Sequence, residues 1–291
     1  MADVVDPALA RRTWRLGEPV HAMIYFAEEG PEQYAKIGLR GRAMGYFASR
    51  SAAFGRPSAD VVIATFCNFS PDLVRQVIPA AWDLAEPADV LAARLAAVDG
   101  ALRRALGDAV TSAEVAEAAE LAGRAATAAC EYTEGRPLFA AHATVDWPDE
   151  PHLALWHALT LLREFRGDGH IAALLVEGVT GIEALIGHCA TGDLTAQALR
   201  GSRAWSEQQW DAAVAGLRAK GIVAQGDELT LTDAGKAQRQ WIEDRTDVLS
   251  LPAYSALGVD GCTRLGELTR PLSRAIVGAG LLPTRVARLP Q

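Results

Sequence analysis

WPDEPHLALWHALTLLREFRGDGH, residues 147–170, is the segment from which we interpret the rest of the chain. Three of the six histidines of the protein lie in it, among acidic residues and a body rich in leucine. Pro148 and Pro151 stand near its start and Gly167 and Gly169 near its end, which is the punctuation typical of one helix. Ionisable groups in so apolar a segment indicate a buried helix close to a functional site.

The candidate catalytic residues of this segment are two histidines and two acids: His157, His170, Glu164 and Asp168. His157 and Glu164 are seven residues apart, so on a helix an imidazole and a carboxylate face the same side. Such a pair can perform general acid–base chemistry, with burial tuning both pKa values. The turn expected at 167–170 would bring Asp168 and His170 into the same space. The structural alternatives are that Glu164 pairs with an arginine and that Asp168 caps a helix.

The spacing of the histidines argues against a metal site. His152 and His157 are five residues apart, roughly 140° around a helix, and therefore do not share a face. In the HExxH arrangement, by contrast, an i, i+4 pair grips zinc. We therefore assign no metal ligands. The cofactor stays unknown, because the sequence contains no GxGxxG, P-loop, GxSxG or CxxCH motif.

A weak internal repeat extends the candidate site into the first half of the chain. Glu18-Pro19-Val20-His21 is echoed by Glu150-Pro151-His152, and the segment around Tyr46 by the segment around His170. Two repeated helical halves would enclose a pocket between them. The residues predicted to bind a ligand lie near these markers: His21, Tyr46, Phe47, Arg50, Asn68, His152 and Trp156. Ordinary core packing is the alternative for the aromatic side chains.

Composition sets the broad class of the protein. The 291 residues suffice for one large or two ordinary domains, and the wealth of alanine and leucine favours helices. The net charge of −8 moves the expectation away from nucleic acid. The longest apolar run, Ile171–Val176, is far shorter than the roughly 20 residues that span a bilayer. The N-terminus resembles no signal peptide, so we expect a cytoplasmic protein without a membrane partner.

Residues 181–249 follow the order of a winged helix: two short helices, a longer helix, a hairpin and a further helix. The hairpin is predicted from Ile222–Gln225 and Glu228–Thr232, which flank Gly226-Asp227. The segment GLRAKGIVAQGDELTLTDAGKAQRQWIEDRTDVL resembles the corresponding part of MarR-type regulators.

Four short motifs carry a resemblance that covers most of the chain. They are EPxH at 18–21, GYF at 45–47, NFxP at 68–71 and GDGH at 167–170. In this order they resemble an actinobacterial family named only for its helix-turn-helix. The resemblance implies the fold and names no activity.

The longer helix of the winged-helix segment would enter the major groove if the segment read DNA. It begins SEQQWD, so Glu207 and Asp211 stand where a DNA reader carries arginine or lysine. Carboxylates there are repelled by phosphates. We therefore favour an interaction or dimerisation module over a DNA reader.

The sequence thus predicts an all-α protein with a small β wing, built as two pseudo-repeated helical halves, the second containing a MarR-like winged helix. The predicted divisions are an N-terminal helical half (1–132), a linker with the focal helix (133–180), the winged-helix segment (181–250) and a helical tail (251–291).

The first functional hypothesis is a small-molecule-binding protein with a His/carboxylate pocket, extending to an acid–base enzyme. The alternatives are a ligand-responsive MarR-like transcriptional regulator and a dimerising interaction scaffold. A small-molecule ligand is the expected partner, DNA is disfavoured, and a homodimer is left open.

Overall fold

The computed structural model describes residues 4–192 and 195–283, and these residues form an all-helical protein without a regular strand. The helices are α1 (Pro7–Ala22), α2 (Glu29–Lys36), α3 (Gly41–Ser51), α4 (Ala59–Thr65), α5 (Pro71–Val77), α6 (Pro87–Leu106), α7 (Ala113–Ala129), α8 (Pro137–Ala143), α9 (Pro151–Val176), α10 (Gly181–Cys189), α11 (Ala196–Arg203), α12 (Glu207–Ala219), α13 (Asp233–Ser255) and α14 (Gly258–Gly278). Residues 284–291 of the predicted tail lie outside the described residues.

Helix α9 is the central element of the fold. It contacts α1, α6, α7, α8 and α13, and buried residues such as Leu155, Leu161 and Phe165 lie on several of its faces. A helix that buries side chains on most of its faces has to be enclosed by others. Burying each such side chain contributes about 1.5–3 kcal/mol to folding. The main core therefore forms around the segment singled out in the sequence.

The turn predicted at Gly167–His170 was wrong, because α9 continues through it to Val176. A Cβ atom on Gly169 would lie 2.9 Å from Nη1 of Arg136 and 3.3 Å from Cβ of Leu249. The Arg136 guanidinium donates to the carbonyl oxygens of Phe165 (2.6 Å) and Leu249 (2.9 Å). This glycine therefore permits close packing between helices.

Helix α1 gives the motif at Glu18–His21 a different place from its echo at Glu150–His152. It continues through Pro19 to Ala22, so His21 lies in its last turn, whereas His152 lies in the first turn of α9. The two echoed motifs thus occupy unlike positions. Helix α1 also packs against α14: Thr13 donates to the carbonyl oxygen of Cys262 (3.1 Å), and Ser273 donates to that of Leu16 (2.6 Å).

Residues 181–192 and 195–232, here called the α10–α12 unit, enclose a small core of their own around Ile186, Trp210, Leu217 and Val223. In the described chain, the β wing predicted there is reduced to one antiparallel bridge between Val223 and Leu231. Helix α13 follows and crosses the boundary predicted between residues 250 and 251.

The segment Phe66–Ser70 seats the α10–α12 unit on the rest of the protein. Ser70 donates its backbone N–H to the carbonyl oxygen of Arg203 (2.9 Å), and the Trp205 indole donates to that of Asn68 (2.9 Å). A Cβ atom on Gly181 would lie 1.8 Å from the carbonyl oxygen of Cys67. The contact therefore requires glycine at the start of α10.

Within the described part of the chain, no single helix combines the length and hydropathy that crossing a bilayer requires. The pair α9 and α10 meets that test only together, across a 97° bend.

Candidate functional site

A cavity of about 500 Å³, here called the central cavity, lies between the helical core and the α10–α12 unit. The core side contributes Arg50, Glu164 and Asp168, and the unit contributes Leu185 and Arg203 among others. Cavities of this size hold drug-sized ligands. Because it also collects five of the predicted site residues, the central cavity is the candidate functional site.

Glu164 is the centre of a buried ion cluster at the wall of this cavity. Its two carboxylate oxygens accept from Nη2 of Arg50 (2.8 Å) and from Nη1 of Arg163 (2.9 Å). Burial alone would raise the pKa of Glu164, but the two guanidinium groups outweigh it and hold the pKa well below its usual range. Arg50 also donates to the Tyr46 hydroxyl (2.9 Å). Glu164 is thus a fixed anion that balances arginines.

Asp168 caps a helix other than its own. Its carboxylate accepts from the backbone N–H of Phe139 (2.9 Å), in the first turn of α8. Burial raises the pKa of Asp168 to about 6, against the opposing effect of this hydrogen bond. Asp168 therefore fixes α8 against α9, and its carboxyl group also lines the central cavity.

Two buried histidines, His21 and His170, are hydrogen-bonded to hydroxyl groups. His21 lies 3.0 Å from the Thr160 hydroxyl and 2.8 Å from that of Tyr25. Because Thr160 donates its own proton to the carbonyl oxygen of Trp156, His21 donates to Thr160 and accepts from Tyr25. Burial lowers the pKa of His21 well below its ordinary value. The ring is locked in the core.

His170 is held in the same way at the central cavity. Its Nδ1 lies 2.9 Å from the Thr246 hydroxyl, which donates its proton to the carbonyl oxygen of Ile242. His170 therefore donates through Nδ1, which leaves Nε2 unprotonated in the neutral ring. Burial also lowers the pKa of His170.

The predicted site residues fall into three surroundings. Arg50, Asn68, Glu164, Asp168 and His170 line the central cavity. Trp156 and His157 line a second cavity, also of about 500 Å³, here called the side cavity.

The remaining predicted residues line neither cavity. His21 and Phe47 are core residues, Tyr46 touches Arg50, and His152 lies 2.6 Å from a carboxylate oxygen of Asp99. The His157 imidazole and the Glu164 carboxylate thus face different cavities.

Sequence reasoning missed one arginine of each cavity and one histidine. Arg203 lines the central cavity, and Arg94 and His142 line the side cavity. A signal for Arg94 existed, because it shares the helical stripe of Val90, Ala97 and Ala101, which are fully buried. His142 carries no comparable signal. Among the described residues, no group of three histidine, cysteine or acidic side chains could hold a metal ion.

We expect the protein to lose stability as pH falls from 6.5 towards 4. Burial lowers the pKa of His142 to about 3 and that of His157 to about 4, with Arg94 adding to both shifts. In the unfolded chain both titrate near pH 6.5. Between these values the unfolded state binds more protons, so the free energy of unfolding decreases as the pH falls. Asp168, whose pKa is raised in the folded protein, has the opposite effect, because its protonation favours the folded state as the pH falls.

Urea unfolding of the wild type and of an H142Q/H157Q variant at pH 7 and pH 5 measures this effect. Each histidine should account for about 2 kcal/mol of the loss at pH 5. Equal losses in the two proteins would contradict the expectation.

No curated protein and no solved structure matches this chain. A family model does match, and it covers residues 10–283. This range includes the helices that line the central cavity and the α10–α12 unit. On that match the chain belongs to a helix-turn-helix family.

Proposed function

We propose that this protein binds a small organic molecule in the central cavity and that the α10–α12 unit responds to its occupancy. The observation that carries the proposal is that this cavity is walled by the helical core on one side and by the unit on the other. A ligand there touches two bodies at once. It therefore stabilises the arrangement in which both fit it best.

The segment Phe66–Ser70 provides the connection between ligand and unit. Cys67 and Asn68 line the cavity, and the carbonyl oxygen of Asn68 and the amide of Ser70 hold the unit through Trp205 and Arg203. A ligand that displaces this segment changes both hydrogen bonds. The response then reaches α11 and α12 directly.

The residues that line the central cavity indicate the chemical class of the ligand. Leucine and isoleucine side chains such as Leu174, Leu185 and Ile242 form an apolar wall, while Asp168 and Arg203 supply polar groups. The Arg203 guanidinium lies 4.5 Å from the centre of the Phe69 ring, and its buried Nε has no hydrogen-bond partner in the described chain. These features fit an apolar molecule that carries a hydrogen-bond acceptor.

Binding is better supported than acid–base catalysis. Glu164 is held ionised by two arginines, and His170 is engaged by Thr246. His157, the predicted partner of Glu164, lines the side cavity instead. An acid–base enzyme remains a hypothesis that this geometry does not favour.

Filling the central cavity with a larger side chain should weaken ligand binding. A thermal-shift screen of metabolites identifies ligands, and calorimetry then compares the wild type with A184F and A215F. Ala184 lines the cavity and Ala215 is exposed on α12, so the same change is made inside and outside it. We expect at least tenfold weaker binding in A184F only, and altered hydrogen exchange of the Ser70 amide on binding. Hits that bind A184F as tightly as the wild type would contradict the proposal.

A ligand-responsive transcriptional regulator is the second candidate, favoured by the family itself. We interpret the α10–α12 unit and its bridged loop as a MarR-like winged helix. The exposed face of α12 carries Glu207 and Asp211, which disfavour a phosphate backbone. A salt-dependent mobility shift of duplex DNA at sub-micromolar protein would favour the transcriptional regulator. It would exclude a winged helix that serves only for dimerisation or protein interaction.

A further inference from the structure

The side cavity contains a second cluster of polar side chains that the proposed function does not use. Arg94 of α6, His142 of α8, and Trp156 and His157 of α9 all line it. Arg94 and His142 are 2% exposed and His157 is 4% exposed. Three buried groups that can donate hydrogen bonds thus converge on one space from three helices.

These groups have unused hydrogen-bonding atoms. Nη1 of Arg94 donates to the carbonyl oxygen of Ser49 (3.1 Å), and its guanidinium carbon lies 4.9 Å from the Trp156 ring centre. Nε and Nη2 of Arg94, and Nε2 of both His142 and His157, are buried without a partner in the described chain. Buried polar atoms are normally paired, and an unpaired buried charge is strongly unfavourable. With each imidazole protonated on Nε2, a carboxylate supplied from outside would accept hydrogen bonds from all of them.

We propose that the side cavity binds a small organic monocarboxylate, whose oxygens accept hydrogen bonds from Arg94, His142 and His157. A guanidinium group matches a carboxylate in geometry as well as charge. This site is separate from the central cavity and does not depend on a ligand there.

The net charge of the side cavity favours a ligand with a single negative charge. Arg94 brings one positive charge, and both imidazoles are neutral at pH 7 because burial and Arg94 lower their pKa values. Neutral rings donate N–H groups without adding charge. Glu164, whose charge acts on His142, is already bound by Arg50 and Arg163. A phosphate dianion would leave one charge unbalanced.

The remainder of the lining indicates an organic tail. Leu91, Leu95, Val145 and Pro148 line the cavity beside the Trp156 ring. Asp146, an exposed acid, lines it as well and would repel a second negative group. The ligand class is therefore an aromatic or aliphatic acid with one carboxylate.

Calorimetry at pH 7 with benzoate tests the proposal, with benzamide as the neutral isostere and inorganic phosphate as the dianion. We expect benzoate to bind the wild type at least tenfold more tightly than either control. R94M should lose this preference. R103M is the matched control, because Arg103 lies on the same helix, half exposed and paired with Asp99.

Two further measurements guard against a misfolded R94M. H157F removes one donor while keeping a ring in place, and should weaken benzoate binding about fivefold. NMR titration of the histidine rings should show that benzoate raises the pKa of both His142 and His157 in the wild type, because the carboxylate offsets Arg94. Phosphate binding more tightly than benzoate, or equal benzoate binding by wild type, R94M and H157F, would overturn the proposal.

Discussion

Replacement of Glu164 with glutamine is expected to lower the free energy of unfolding by about 3–5 kcal/mol. Glu164 is 2% exposed and neutralises Arg50, whose side chain is 6% exposed. Removing the anion leaves the buried charge of Arg50 without a counter-ion, while the partly exposed Arg163 keeps Glu18 nearby. Removing one member of a buried ion cluster is more harmful than removing all of it, since the remaining charge is uncompensated. Urea unfolding at pH 7 measures the loss.

Glu18 offers the matched control, because it is the second acid of the same cluster. It lies 3.5 Å from Nε of Arg163 and is 25% exposed, and burial raises its pKa despite that arginine. E18Q should therefore cost about 1 kcal/mol or less. A double variant E164L/R50L should be more stable than E164L alone. Equal losses for E164Q and E18Q would contradict the role given to Glu164.

Replacement of Gly181 with alanine is expected to detach the α10–α12 unit from its seat and to cost about 3 kcal/mol. The added Cβ would lie 1.8 Å from the carbonyl oxygen of Cys67, and backbone atoms there cannot swing aside as a side chain does. The amide of Ser70 and the indole of Trp205 should then lose their acceptors. Hydrogen exchange at Ser70 and the fluorescence of Trp205 report this directly.

Gly216 of α12 provides the control for Gly181. Nothing described lies within 4 Å of a Cβ atom built on it, so G216A should leave the seat intact. Alanine is favoured over glycine inside a helix by about 1 kcal/mol, and G216A should be slightly stabilising. Increased exchange at Ser70 in G216A, or none in G181A, would refute the role of the close approach.

The sequence was informative about helices whose start has a side-chain signal. Ser206 and Thr232 both cap the helices that follow them, and Ser206 forms a capping box with Gln209, as an S-x-x-Q spacing indicates. Glycine and proline were less reliable guides. Pro19 and Gly169 lie inside helices, because tertiary contacts with neighbouring helices override the local preference.

The candidate site was less predictable, for a physical reason. Arg50 and Glu164 are 114 residues apart, and no local pattern states that they pair. Helical spacing correctly separated His152 from His157, but it could not show that Glu164 faces arginines while His157 faces the side cavity. Side-chain pairing across a core depends on how the helices pack against one another. The periodicity of apolar residues along a single sequence does not reveal that packing.

The packing of α1 against α14 has a consequence for how this chain acquires its structure. The Ser273 hydroxyl donates to the carbonyl oxygen of Leu16, 257 residues earlier. The Thr13 hydroxyl donates to the carbonyl oxygen of Cys262, 249 residues later. Contacts so distant in sequence carry a high loop-closure entropy and slow the search for the native state. On the ribosome, the side of α1 that packs against α14 therefore stays uncovered after α9 and α13 have emerged, until α14 follows.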